Sequence, residues 1–172
     1  MSFDLPALLD RVHHRYPSLL IDAVGEHEPG TRLTAFKNLT INEDFFPGHF
    51  PGTPVMPAVL TIEALTQVAA LLILAQADVA PTTHVSLRGV NNAKFRRQVQ
   101  PGDRLMLEVS LVRRRTNLAK AQAVAYVAGQ RVAEAACPDR DAARRRAALR
   151  GVAQQRRPVR AQRYRSGESL PS

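Results

Sequence analysis

Apolar residues fill nearly every position from Ala58 to Ala77, whereas the runs on either side alternate or break at Gly and Pro. The long run follows Pro57, a residue that suits the first turn of a helix, and AVLTIEALTQVAALLILAQAD predicts a helix buried all round because it has almost no polar face. Upstream, Leu5 to Val12 predicts a short first helix, stopped by the polar residues His13 to Arg15. Leu19 to Val24 and Arg32 to Ile41 predict two strands, joined by a turn at Glu28-Pro29-Gly30 into a hairpin. Asn42 to Pro57 is dense in Gly and Pro, which set backbone shape without forming a regular element. Beyond Pro81 come three β-prone segments: His84 to Val99, Leu105 to Arg115, and Leu118 to about Ala136. Pro101-Gly102-Asp103 and Thr116-Asn117 separate them.

This order of elements predicts an α+β domain in which a curved antiparallel sheet wraps around one long central helix. That is the hot-dog arrangement: the helix buries its perimeter against the concave face of the sheet. The chain has 172 residues, room for one ordinary domain with an appendage. Trp is absent, so Leu, Val, Ile and Ala must supply the core.

Charge divides the chain further. The net charge is +9, but the segment from Cys137 onward holds ten Arg against Asp139, Asp141 and Glu168, a net of +7. The remainder, fourteen basic and twelve acidic residues, is nearly neutral. Residues 1–136 are therefore expected to be the folded domain. Residues 137–172 form a basic Arg/Ala-rich tail, disordered or loosely helical, with too little apolar surface to offset its ordering entropy. Its solvated charge run lacks the interleaved aromatics of a nucleic-acid site, so nucleic acid is not an expected partner.

The N-terminus lacks the basic start and apolar run of a signal peptide. The apolar run is long enough to consider as a membrane span, but it contains Glu63 with Thr61, Thr66, Gln67 and Gln76, and an ionised carboxylate within lipid costs several kcal/mol. A lone cysteine, Cys137, suits a reducing compartment. The expectation is a soluble, cytoplasmic protein with no membrane partner.

Two side chains stand out chemically. His49 lies in Pro47-Gly48-His49-Phe50-Pro51-Gly52-Thr53-Pro54, where three prolines restrict the backbone around the imidazole. A base that must meet a substrate carbon at a set distance benefits from that rigidity. Taken alone, His49 reads better as a surface loop histidine, and only Glu63 beside it tips the reading towards chemistry. Glu63 is the only acid of the apolar run, and burial there would favour its protonated form. Taken alone, it reads equally as a carboxylate reaching solvent or an arginine. Together they offer a neutral base and a proton-donating acid, the pair that eliminating water from a 3-hydroxyacyl thioester requires. The helix start at Ala58 would add free N–H groups and the positive end of the helix dipole, suited to a developing oxyanion. His13, His14, His27 and His84 do not have zinc-ligand spacing, and no Gly-rich phosphate loop is present. No metal or other cofactor is expected.

The blocks His14-Arg15-Tyr16-Pro17, Leu19-Leu20-Ile21-Asp22, Lys37-Asn38-Leu39-Thr40-Ile41-Asn42-Glu43, Phe45-Phe46, Gly48-His49-Phe50-Pro51-Gly52, Pro54-Val55-Met56-Pro57, Glu63-Ala64 and Gln67, followed by Phe95-Arg96-Arg97, Val99, Pro101-Gly102-Asp103 and Ala133-Glu134-Ala135, resemble the FabZ-type 3-hydroxyacyl-acyl-carrier-protein dehydratases. The resemblance runs over roughly residues 5 to 136, in family order and spacing. It implies dehydration to a trans-2-enoyl thioester in acyl-chain synthesis, with His49 as base and Glu63 as acid. It also implies the Ala58 amide on the thioester oxygen and Gln67 in support of the site.

The resemblance further implies a homodimer with its sheets joined edge to edge, often assembled into a trimer of dimers, with His49 facing the partner's glutamate. Acyl carrier protein is acidic as a class, which makes Lys94, Arg96 and Arg97 docking candidates. The family's residue at position 58 is Gly, so the extra methyl of Ala58 is a departure. The alternatives are a hot-dog thioesterase or coenzyme A hydratase, which the His49/Glu63 spacing disfavours, and a non-catalytic paralogue that binds acyl chains or a protein.

Overall fold

A computed structural model describes residues 11–80, 82–115 and 118–136. All of them lie in the first of the two units into which the chain divides, Met1–Asp139 and Arg140–Ser172. The basic tail, and the first helix expected at Leu5 to Val12 apart from Arg11 and the buried Val12, fall outside the described residues.

The elements are β1 (Ala23–Glu28), β2 (Arg32–Asn38), α1 (Ala58–Leu74), β3 (Asn91–Phe95), β4 (Arg104–Arg115), β5 (Leu118–Val127) and β6 (Gln130–Ala136). They build one six-stranded antiparallel sheet in the order β1-β2-β4-β5-β6-β3, with α1 against it. This is the expected α+β hot-dog architecture.

Alternation explains which face meets the helix. In β2 the buried Leu33 and Ala35 stand opposite Val109 and Leu107 of β4, and in β4 Leu105, Leu107 and Val109 are all buried. Period-two burial puts these residues on one face of the sheet. Leu65, Val68, Leu71 and Leu72 of α1 complete the core with Ala121, Ala125 and Val127 of β5 and Val132 and Ala133 of β6.

Four expectations need correction. Of the β-prone segment His84 to Val99, only Asn91–Phe95 is strand. The first strand is Ala23–Glu28, because residues 16–18 form a turn around Pro17 and the chain pairs with β2 only afterwards. The segment Leu118 to Ala136 is a hairpin of two strands, turning at Ala128 (φ 48°) and Gly129 (φ 75°). Two successive residues with positive φ match the right-handed twist of a tight hairpin. Ala is a poor marker for such a turn, since its Cβ disfavours the left-handed region. Finally, α1 is not buried all round. Ala58 and Val59 are exposed, and Leu60, Ile62, Glu63, Thr66 and Ala69 are half-buried, because one chain's sheet covers only part of the helix.

Candidate active site

His49 is held at three points. Its backbone N–H donates to the Phe46 carbonyl at 3.2 Å, and its own carbonyl accepts from the Val55 N–H at 2.8 Å. Its ring Nδ1 lies 2.8 Å from the Val55 carbonyl oxygen. A carbonyl can only accept, so in the neutral imidazole Nδ1 carries the proton and Nε2 keeps its lone pair. The ring also stacks on Phe50, centroids 4.0 Å apart, and the peptide between the two residues is cis. Phe50 and Thr53 exchange two backbone bonds, 3.1 and 2.9 Å, around Gly52, whose φ of 76° a side chain would disfavour. The Pro/Gly loop thus closes on itself, and the buried Phe46 anchors it in the core.

The opposite end of this loop starts the helix. Met56 N–H bonds to Val99 at 2.7 Å, and the first helical residues, Ala58 and Val59, have no side-chain cap and no acidic neighbour in the first turn. The first hydrogen bonds at this end run from Leu60 and Thr61 to the Pro57 carbonyl. The Ala58 and Val59 N–H groups therefore point outward from an exposed helix start, carrying the positive end of the dipole.

Glu63 lies one and a half turns further along α1, with its side chain 38% exposed. Its own chain thus supplies less burial than its apolar surroundings in the sequence suggest. Its Oε1 accepts from Gln67 Nε2 at 3.0 Å and stands 3.3 Å from His14 Nε2. Gln67 is fully buried; its Oε1 accepts from the Leu20 N–H at 2.9 Å, and its Nε2 also donates to the Ser18 carbonyl at 2.8 Å. The Leu20 donor fixes which end of the amide faces Glu63. Gln67 and Glu63 are brought together as the sequence suggested, but no hydrogen bond joins His49 to Glu63 among the described residues of one chain. His14, dismissed above as a zinc ligand, was missed as a neighbour of Glu63; the signal available was its place at the head of the His14-Arg15-Tyr16-Pro17 block.

The basic candidates lie on and beside β3. Arg96 and Arg131 donate to Glu134 at 2.6 and 2.8 Å, and Lys94 Nζ stands 3.9 Å from the same carboxylate. Burial alone would raise the pKa of Glu134, yet the two guanidiniums hold it below the ordinary carboxylate range. Three cations on one carboxylate leave a positive patch, and Arg131 is its unanticipated member. Arg97 stands apart, paired with Asp103 at 3.3 Å. No group of metal-ligating side chains occurs among the described residues, and no helix there is long and apolar enough to cross a membrane.

A family model described as the FabA-like domain matches residues 12–136. The chain belongs to the FabA-like family. Among members of related sequence, it is 50% identical over 132 residues to the 3-hydroxyacyl-acyl-carrier-protein dehydratase FabZ of Myxococcus xanthus, an alignment covering 76% of this chain and 86% of that one. Among solved structures, the dehydratase heterocomplex ApeI:P from Xenorhabdus doucetiae superposes with a TM-score of 0.67 at 11% identity, covering 83% of this chain and 96% of its own. Zebrafish thioesterase superfamily member 2 superposes with a TM-score of 0.51 at 13% identity, covering 77% and 83%. The FabA-like fold is thus shared with a thioesterase, and the reaction must be argued from sequence likeness and the site.

Proposed function

We propose that this FabA-like protein dehydrates 3-hydroxyacyl thioesters carried on acyl carrier protein to trans-2-enoyl thioesters during acyl-chain synthesis in the cytoplasm. The observation that carries the reading is the 50% identity with a FabZ dehydratase over 132 residues. The geometry is consistent with it. His49 Nε2, its lone pair left free by the Nδ1 bond to Val55, removes the proton next to the thioester carbonyl. The Ala58 N–H at the helix start receives the oxygen as enolate charge develops. Glu63 gives its proton to the departing C3 hydroxyl, and water leaves. One C–H and one C–O bond break, the C2–C3 double bond and an O–H bond of the departing water form, and the step is redox-neutral.

Dimerisation through β3 would supply what one chain lacks. Among the described residues, β3 ends the sheet, is paired only to β6, is exposed at every residue and carries Phe95 at its end. An uncovered edge of this kind is a template for another strand. Phe50 and Val59, exposed beside His49 and Ala58, are further surface for a partner. In such a homodimer, itself a unit for a trimer of dimers, His49 of one subunit faces Glu63 of the other, and the partner covers the open side of α1. The crevice lined by Ile62, Leu65, Ala69, Leu87, Ala123 and Ala135 suits an acyl chain. Lys94, Arg96 and Arg97, now with Arg131, are the proposed docking surface for the acidic carrier.

Hydration of a crotonyl thioester by the purified protein, followed by loss of enoyl ultraviolet absorbance, tests the activity. Turnover at wild-type His49 and Glu63 supports the reading. An inert protein that still binds acyl carrier protein would favour a non-catalytic paralogue.

A further inference from the structure

Glu63 has two carboxyl oxygens, and the structure treats them differently. Oε1 faces Gln67 Nε2 at 3.0 Å and His14 Nε2 at 3.3 Å, while no bond to Oε2 occurs among the described residues. The segment bearing His14 is held in place by the same amide that touches Glu63. Gln67 clasps Ser18 and Leu20, and Val12, Leu20 and Ile21 are buried in the core. Arg15 folds back onto the carbonyls of Val12 and His14, at 2.6 and 2.8 Å, which fixes the backbone on either side of the imidazole. His14 is therefore presented to the carboxyl by an anchored strap.

The tautomer follows from the far side of the ring. His14 Nδ1 is buried and has no hydrogen-bond partner among the described residues. A proton on Nδ1 would leave a buried donor unsatisfied and set two lone pairs, Nε2 and Oε1, against each other. A proton on Nε2 instead faces Oε1 at 3.3 Å and leaves only an acceptor unpaired, the less costly arrangement.

We propose that His14 is a positioning residue for Glu63. Its Nε2–H and the Gln67 amide together hold Oε1, so that Oε2 is the oxygen that carries and delivers the proton. This rests on the reading of Glu63 as the acid and adds to it which oxygen acts and what aims it. Two donors on one oxygen stop rotation of the carboxyl that would otherwise turn the acidic proton away from the leaving hydroxyl.

The test uses the full-length protein, hydration of crotonyl-acyl carrier protein, and the variants His14→Leu, His14→Gln, His14→Asn, Glu63→Gln and the double variant His14→Leu/Glu63→Gln. Gln places an N–H near the Nε2 position, whereas the shorter Asn does not reach it. His14→Leu is expected to lower kcat by about 10-fold or more, below the ~10²-fold that a 1 Å misplacement can cost, with a smaller change in KM. His14→Asn should resemble it, His14→Gln should recover most of the lost kcat, and the double variant should be no worse than Glu63→Gln alone. If the leucine variant does not fold, the comparison of His14→Asn with His14→Gln decides. A kcat within about twofold of wild type in His14→Leu or His14→Asn, beside a severe Glu63→Gln, overturns the inference and leaves the acid assignment standing. So does a His14→Gln variant as impaired as His14→Asn. A near-wild-type Glu63→Gln instead removes the acid assignment itself.

Discussion

His49 and Glu63 differ in how their surroundings prepare them. The imidazole has Nδ1 committed to the Val55 carbonyl and Nε2 free, and on the proposed reading that free nitrogen is the base. His49→Ala should abolish hydration with little change in thermal unfolding, and Glu63→Gln, which keeps shape but not the acidic proton, should be comparably severe. Each loss is expected at ~10²-fold or more in kcat. Near-wild-type turnover in either variant would take that residue out of the mechanism. Ala58 poses the opposite test, because its backbone is what is argued to act. Ala58→Gly removes a methyl from the approach to the helix start at a helix cost of at most ~1 kcal/mol. Activity should hold or rise while the melting temperature falls slightly; a clear drop in turnover at unchanged stability would mean that Ala58 is fitted to its own substrate.

Between elements, the contact that steadies the site is a buried lysine. Lys37 points inward from β2 and pairs with Asp22 at 3.1 Å, just before β1, and with Glu43 at 2.9 Å, in the loop leading to Phe46 and His49. Burial alone would lower the Lys37 pKa, but the hydrogen bonds it donates to Glu43 and Asp22, and their charges, leave it raised. A raised lysine pKa contributes stability that is full below the ordinary lysine range and is lost as pH rises through the folded-state value. Lys37→Met strands two carboxylates and should cost roughly 1–3 kcal/mol in urea unfolding at neutral pH. The variant should also lack the alkaline loss of stability shown by the wild type. Identical unfolding midpoints across that range would show that the cluster ties nothing together.

For the whole molecule, the half-exposed face of α1 and the edge of β3, free of a second strand among the described residues, are what the proposed second copy would cover. Mixing His49→Ala with Glu63→Gln subunits under exchange should restore about a quarter of wild-type activity, since half the dimers are mixed and each mixed dimer has one intact site. Proven exchange without rescue would mean that each chain completes its own site. The tail carries +7 of the +9 charge. Deleting residues 137–172 should leave a folded, active oligomer that binds heparin more weakly at low salt. An insoluble product would place the end of the domain further along the chain.

Local pattern alone sufficed to place α1, a strand pair ahead of it and the Pro/Gly loop at His49, though not the bounds of β1 or the open face of α1. Periodicity, apolar continuity and the backbone limits of Pro and Gly act over a few residues and need no partner. The same chemistry singled out Glu63 as an acid in an apolar run, whereas Gln67 was marked only by the family resemblance. Tertiary structure decided what local pattern does not encode. β3 pairs with β6 at the far end of the sheet, although β4 and β5 lie between them in sequence. The turn at Ala128 forms because the strands around it pair across the core, overriding alanine's preference. His14 meets Glu63 across nearly fifty residues of chain only because Gln67 clamps the strap that carries it. Spacing along a chain records which residues share an element; which oxygen of Glu63 is held, and by what, depends on how those elements pack.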